Sequence, residues 1–316
     1  MTELEPLYAA FRQIGEDPAN ILNPDTAHLV AHGQRLISQQ AIPGVEIQAQ
    51  GDAEGIHARV VVAAGRIIPH PVHLCFGLFD RFGAQTVDLE VRIEAGAQAH
   101  FWSHCLFTIP ELARHAMDAR IELLPGSRLR YSEVHYHGQS GGIEVLPKAR
   151  ILVGEGAHYQ ADFSLVQGRV GRLEIDYEVK VGAQASAELL SRVHGRETDT
   201  ITLNERVHLD GEGARGLLKT RVAVEDRAQA RILGATYGNA AGARGHVDCL
   251  EIVRDQASAS AVPEVRVTHP GAKVTHEAAI GSVDERQIDA LMARGLTPSE
   301  AVDLIVLGML GWTSAG

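Results

Sequence analysis

One short phrase recurs along the chain and limits its folds more than any other feature. It is a tight turn carrying Gly or a polar residue, then a small residue, then alternation of apolar and polar side chains. It reads Glu94-Ala95-Gly96-Ala97-Gln98-Ala99, Pro125-Gly126-Ser127-Arg128-Leu129, Gly154-Glu155-Gly156-Ala157, Val181-Gly182-Ala183-Gln184-Ala185 and Gly211-Glu212-Gly213-Ala214. Later copies are Glu225-Asp226-Arg227-Ala228, Asp255-Gln256-Ala257-Ser258-Ala259 and Pro270-Gly271-Ala272-Lys273-Val274. The small residues at 97, 127, 157, 183, 214, 228, 257 and 272 are separated by 30, 30, 26, 31, 14, 29 and 15 positions, near multiples of a unit of about 15. A fixed period in a strand-rich region points to stacked coils, because one coil cannot bury its inward row alone and stacking completes the core. The expected fold is mainly β: a right-handed parallel β-helix flanked by N-terminal and C-terminal helices. An antiparallel sandwich with evenly spaced turns stays open as the competing arrangement.

Alternation of period two supports strands over residues 45–282, as in Arg120-Ile121-Glu122-Leu123 and Val247-Asp248-Cys249-Leu250-Glu251-Ile252. Residues 1–44 are expected to be a helical segment. Leu7, Phe11 and Ile14 recur at helical spacing, Gly15 and Pro18 stop the run, and a second helix is expected from Asp25 through Leu29, Val30, Leu36 and Ile37. Pro43-Gly44 closes that segment. Residues 283–316 return to helix, with Ile288, Leu291 and Met292 on one face and Gly295 at its end. Thr297-Pro298-Ser299-Glu300 is a complete helix start, with Thr297 as cap, Pro298 at the first position and Glu300 closing a capping box. Ala301, Leu304, Ile305 and Gly308 form one apolar stripe; Val302, Val306, Met309 and Leu310 form another. A helix apolar on two sides must bury both: one can cover the solenoid end, and the other either meets a partner or is also buried within the chain.

Net charge of −11 over 316 residues disfavours nucleic acid and anionic membrane as partners. No apolar run reaches the length needed to span a bilayer, and Met1-Thr2-Glu3-Leu4-Glu5-Pro6 lacks the basic and apolar regions of a signal peptide. Three cysteines, Cys75, Cys105 and Cys249, are too few for a disulfide framework, so a reducing cytoplasm is expected.

Sixteen His beside three Cys is a donor set suited to borderline metals. Strand parity sorts them. His104 and Cys105 face opposite sides, whereas His73-x-Cys75 and His135-x-His137 each put two donors on one side. His246-x-x-Cys249 and Thr275-His276-Glu277 complete the set, with a small buried thiol as the plain reading of each Cys. His73, Cys75 and His104 are carried forward as metal candidates. No phosphate loop, GxSxG elbow, HExxH or CxxC is present, and no carboxylate pair stands out for acid–base work, so no catalytic residue is assigned and no nucleotide is expected on this chain.

Together, Gly245-His246-Val247-Asp248-Cys249-Leu250, Val262-Pro263-Glu264-Val265-Arg266-Val267 and Val274-Thr275-His276-Glu277-Ala278-Ala279-Ile280-Gly281 resemble the core signature of the SufB/SufD family. Asp284-Glu285-Arg286-Gln287-Ile288 and Met292-Ala293-Arg294-Gly295-Leu296-Thr297-Pro298-Ser299-Glu300-Ala301 are similar to its C-terminal helices, and the likeness extends back to about residue 70 in the manner of compact archaeal members. The resemblance implies a non-enzymatic scaffold for iron–sulfur cluster assembly. It implies a transient cluster, a homodimer paired through the β-helix, and a SufC-like ABC ATPase docked on the C-terminal helices at Ile288, Met292, Leu304, Ile305 and Met309. A sulfur donor protein is a further implied partner.

By the same resemblance, Cys105 stands where SufB-type members keep a sulfur-transfer cysteine. His276 stands where SufD-type members keep an interface histidine, with Glu277 beside it. Val267 replaces a SufB-type cysteine, so Cys249 could take its place, or Cys105 could act with His276 and Glu277. Two other readings remain: a SufD-like structural partner that ligates no iron, and a carbohydrate-acting β-helix enzyme, which the low aromatic content of 5 % disfavours.

Overall fold

Residues 5–13 and 17–311 are described by the computed structural model. Among them the chain order is α1 (Glu5–Gln13), α2 (Ala19–Leu22), β1 (His28–His32), β2 (Arg35–Gln40), β3 (Val45–Gly51), β4 (Ile56–Val62), β5 (Val72–Gly77), β6 (Phe82–Ile93), β7 (Gln98–Phe107), β8 (Leu112–Leu123) and β9 (Arg128–His137). There follow β10 (Ile143–Val153), β11 (His158–Gln167), β12 (Gly171–Val181), β13 (Ser186–Gly195), β14 (Thr200–Leu209), β15 (Arg215–Val224), β16 (Gln229–Gly238), β17 (Arg244–Val253), β18 (Ser258–Val267), β19 (Lys273–Gly281), α3 (Glu285–Met292) and α4 (Pro298–Met309).

Alternation decides which side chains meet. In β8, Ala113, His115, Met117, Ala119, Ile121 and Leu123 are buried and the residues between them are not. Odd-numbered strands from β5 to β19, with β1 and β2, form a ten-stranded sheet A; even-numbered strands from β4 to β18, with β3, form a nine-stranded sheet B. Neighbours pair in parallel except at the N-terminal edge, where β1–β2 and β3–β4 are antiparallel. The chain therefore alternates between two facing parallel sheets, a β-solenoid of about eight turns, and the sandwich alternative is excluded. One apolar core runs between the sheets from Ala27 to Ala272.

The unit of about 15 residues proves to be half a coil. Register partners such as Ala99 and Leu129, Tyr159 and Ala187, and Ala187 and Gly216 lie 28 to 30 residues apart, one strand of each sheet per coil. Ala97, Ser127, Ala157, Ala214 and Ala272 stack at one corner, with Ala185 rather than Ala183 as the buried member of its turn; Ala228 and Ala257 belong to the opposite corner. The recurrence has a backbone cause. Gly96 and Gly126 hold φ of 67° and 70°, the left-handed region a side chain resists. Their N–H groups donate to the next coil, Gly96 to Pro125 at 3.0 Å and Gly126 to Glu155 at 2.8 Å. A larger residue at 97 or 127 would wedge the stacked corners apart.

The second N-terminal helix is corrected. Residues 28–40 form the β1–β2 hairpin, reversing near Gly33 at φ 56°. β1 is buried on both faces, with Leu29 and Ala31 inward and Val30 outward, and such a strand imitates helical spacing. The solenoid accordingly begins near residue 28. α1 is present and buries Leu7, Ala10 and Phe11 against the outer face of sheet A; Ile14 and Gly15 lie outside the described residues. At the other end, the Thr297–Glu300 capping box forms as read from sequence. α4 lays Val302, Val306 and Leu310 on Val166, Ala223 and Ile252 of sheet A.

Candidate functional site

Strand parity turns Ser103, Cys105 and Phe107 of β7 and Tyr131, Glu133, His135 and His137 of β9 into the solenoid interior. Register then places Cys105 beside His135 and Ser103 beside Glu133. The donor atoms of Cys105, Glu133 and His135 all lie within 4.8 Å of one another, fully enclosed. His135 Nε2 is 2.7 Å from Glu133 Oε1, and His115 of β8 brings Nε2 to 3.8 Å from Cys105 Sγ across the core. Burial drives the electrostatics. It pulls His115, His135 and His137 down to about 3, so the rings are neutral and competent as ligands. It pushes Glu133 up to about 7 and, with Glu133 nearby, raises the Cys105 thiol well above its ordinary value. His115 Nδ1 and His135 Nδ1 find no hydrogen-bond partner. One thiol, one carboxyl and neutral imidazoles form a mixed set that fits iron or a sulfur atom in transit, and it is poorer in thiolate than a site built to retain a cluster.

An inward row, polar except at Phe163, leads away from this pocket along sheet A. Successive partners are Ser103, Glu133, Phe163, Ser191, Thr220 and Cys249. Ser191 donates to Glu205 Oε1 of sheet B at 2.8 Å. Burial pushes Glu205 and Glu251 to about 7 and Cys249 to about 11. Beside Glu133, a cavity of about 20 Å³ is lined by Tyr131, Tyr159 and Tyr177, room for a single water.

A scan against protein-family models matches residues 80–309 to the SUF system FeS cluster assembly, SufBD core domain. The chain belongs to the SufBD family. An iron–sulfur cluster assembly SufBD family protein of Methanocaldococcus jannaschii is 33 % identical over 309 residues, covering 98 % of both chains. Its counterpart in Pyrococcus horikoshii is 32 % identical and covers 98 % of this chain and 94 % of its own. A Mycobacterium leprae relative is 26 % identical, and the match spans 32 % of that longer protein. Membership gives this chain a role in iron–sulfur cluster assembly. Among the described residues, no helix is long and apolar enough to cross a membrane.

Within the single chain the expected cluster ligands do not converge. Cys105 on β7 and Cys249 on β17 are five strands apart in sheet A, roughly 24 Å at about 4.8 Å per strand. His276 on β19 is one strand further and exposed. His276 lies on the inward row beside Val247, whereas Glu277 pairs with outward Asp248, so these neighbours point apart. Within one chain, therefore, Cys105 meets neither His276 nor Glu277. Val267 ends β18 and is 47 % exposed. His246 bonds Thr275 Oγ1 at 2.8 Å on the outer face, away from inward Cys249.

His73, Cys75 and His104 do come together, on the outer face of sheet A beneath α1. On the C-terminal helices, Met292 is 40 % and Leu304 52 % exposed. Ile305 is half-buried, and Ile288 and Met309 turn partly onto the α4 cluster. Glu133 and His115 were not singled out from sequence. The available signal was one coil length: Cys105 plus 30 is His135, whose same-face neighbour is Glu133. His115 carries no such signal, because it comes from the other sheet.

Proposed function

We propose that this SufBD chain is a non-enzymatic scaffold that holds iron and sulfur inside its solenoid while a cluster is assembled and passed on. The observation that carries this reading is the enclosed Cys105–Glu133–His135 trio. Its thiol offers sulfur chemistry, and its carboxyl, half-protonated near neutrality, can take up the proton a thiol loses. The inward row from Glu133 to Cys249, polar except at Phe163, reaches the β18–β19 end. There the inward row is open and His276 is exposed, so a second copy of the chain could complete a site from Cys249 and His276. Met292 and Leu304 support docking of a SufC-like ATPase on α3 and α4.

The carbohydrate-enzyme reading finds little support. The groove on the outer face of sheet B, about 490 Å³, has no aromatic lining, and Glu90, Glu122 and Glu178 pair there with Arg120, Arg92 and Arg150. A SufD-like role without iron ligation is favoured by one observation, that all three cysteines are buried. Anaerobic reconstitution with iron and sulfide decides between them. The scaffold gives a broad visible absorption that Cys105→Ser weakens; a colourless wild-type complex with the ATPase overturns the scaffold reading.

A further inference from the structure

Back to back with Cys105, on the other side of sheet A, lies a second group of donors that cluster assembly in the interior does not use. β1, β5 and β7 run parallel there and turn His28, His73, Cys75, Trp102 and His104 outward. Register sets His28 beside His73 and Cys75 beside His104. An outer face of a solenoid ordinarily meets water, but α1 crosses this one. Leu7, Phe11 and Ile21 close over Val30, Cys75 and Leu106, and the Phe11 ring meets His104 edge-on at 4.8 Å. The result is extreme burial: His104 is 1 %, His73 5 % and Cys75 0 % exposed.

Placing imidazoles and a thiol in an apolar pocket is unfavourable unless their polar atoms are paired. Here the pairing is incomplete. His73 Nδ1 has no partner, and His104 is paired only through Nδ1, its Nε2 having none. Cys75 Sγ stands 4.0 Å from His104 Nδ1, and the His73 ring lies parallel to His104 within 7° at 5.7 Å between centroids.

We propose that this roofed pocket binds one borderline transition-metal ion of the Zn²⁺ or Fe²⁺ class, with Cys75 Sγ, His104 Nδ1 and a ring nitrogen of His73 as ligands. Tetrahedral coordination with a sulfur near 2.3 Å and a nitrogen near 2.05 Å sets S···N at about 3.6 Å, so the Cys75–His104 pair needs to close by only a few tenths of an ångström. His73 precedes Cys75 by two residues on the same strand face, and binding requires it to turn out of its stack on His104 to bring a ring nitrogen to the ion. His28, held through Nε2 to Ser38 Oγ at 2.8 Å, stands beside His73 as the remaining donor. Burial pulls His73 to about 4 and His104 to about 3, so both rings are already neutral, and it raises the Cys75 thiol far above its usual value. Binding forms the metal–sulfur bond and releases the thiol proton to solvent, with no change of oxidation state. Thiolate and imidazole without carboxylate select against hard cations such as Mg²⁺.

The inference stands apart from the scaffold reading, because the ion lies outside the solenoid and its test needs neither sulfide nor ATPase. The full chain, stripped of metal, is titrated anaerobically with Co²⁺. In a Cys105→Ser background, which removes the interior thiol, one equivalent is expected to give thiolate-to-cobalt charge transfer in the near ultraviolet, abolished when Cys75→Ser is added. His73→Gln, which keeps the thiol, is expected to weaken binding at least tenfold, and this readout decides the matter should Cys75→Ser fail to fold. Phe11→Ala keeps every donor and should hasten metal loss to a chelator. The inference is overturned by a Cys105→Ser protein without the band, by a band that survives the addition of Cys75→Ser, by unchanged affinity in His73→Gln, or by Mg²⁺ displacing the cobalt.

Discussion

Acidification should weaken this protein before ordinary carboxylates protonate. His73, His104, His115, His135 and His137 are buried and held neutral at about 4, 3, 3, 3 and 3 against an ordinary 6.5. Their folded values are lowered, so the unfolded chain takes up protons below pH 6.5 that the folded chain refuses. That contribution is complete above 6.5 and is lost as pH falls toward 3. Glu133, Glu205 and Glu251 oppose it, because burial raises them from 4.5 to about 7 and the folded chain keeps protons that the unfolded chain releases. Between pH 6.5 and 4.5, five protons favour unfolding and three favour folding, a net of two. At about 1.4 kcal/mol per proton per pH unit, stability falls by on the order of 3 kcal/mol per unit, against a typical total of roughly 5–15 kcal/mol. The assay is the urea midpoint followed by far-ultraviolet circular dichroism, in half-unit steps across that window with the slope checked for constancy. A midpoint that stays level or climbs as pH drops through 6.5 would refute the assignment of neutral, enclosed histidines.

Three further outcomes are expected. Val306→Asp places a carboxylate under α4 at 2 % exposure and should cost about 3 kcal/mol or more, whereas Leu304→Asp should leave the melting temperature nearly unchanged and abolish co-purification of the ATPase. Gly171→Ala sets a Cβ 2.0 Å from the Gly141 carbonyl oxygen, while Gly65→Ala meets open space, and both hold positive φ. Calorimetry should therefore find roughly 1 kcal/mol lost at Gly65 and several-fold more at Gly171. Glu205→Gln removes a buried group that ionises near pH 7, so the stability of this variant relative to wild type should rise between pH 5 and pH 8; a difference independent of pH would contradict the enclosed, raised carboxyl.

Much of the architecture was legible because it is written locally. Alternation assigns inside and outside residue by residue, which is why His104 and Cys105 were already separated to opposite faces before any fold was known. The Thr297–Glu300 box depends on four consecutive residues and forms as written. The first misreading was also local. Leu29, Val30, Leu36 and Ile37 look helical because β1 is covered on one side by the core and on the other by the N-terminal helices, a burial no short window reveals. The other difference is one of scale: the unit of about 15 residues is half a coil, and the separation that sets Cys105 beside His135 is a whole coil of about 30.

The amino-acid order alone determined that this polypeptide winds in strands of fixed parity, ends in a helix with two apolar sides, and carries the signature of its family, because each of these is a matter of neighbours within a few positions. Which donors actually meet was decided only by the stacked coils. Parity leaves every inward residue equivalent, and it is register between coils, together with α1 laid across the outer face, that gathers Cys105 with Glu133 and His135 on one side of the sheet and Cys75 with His104 on the other, and that holds Cys249 and His276 far along the axis.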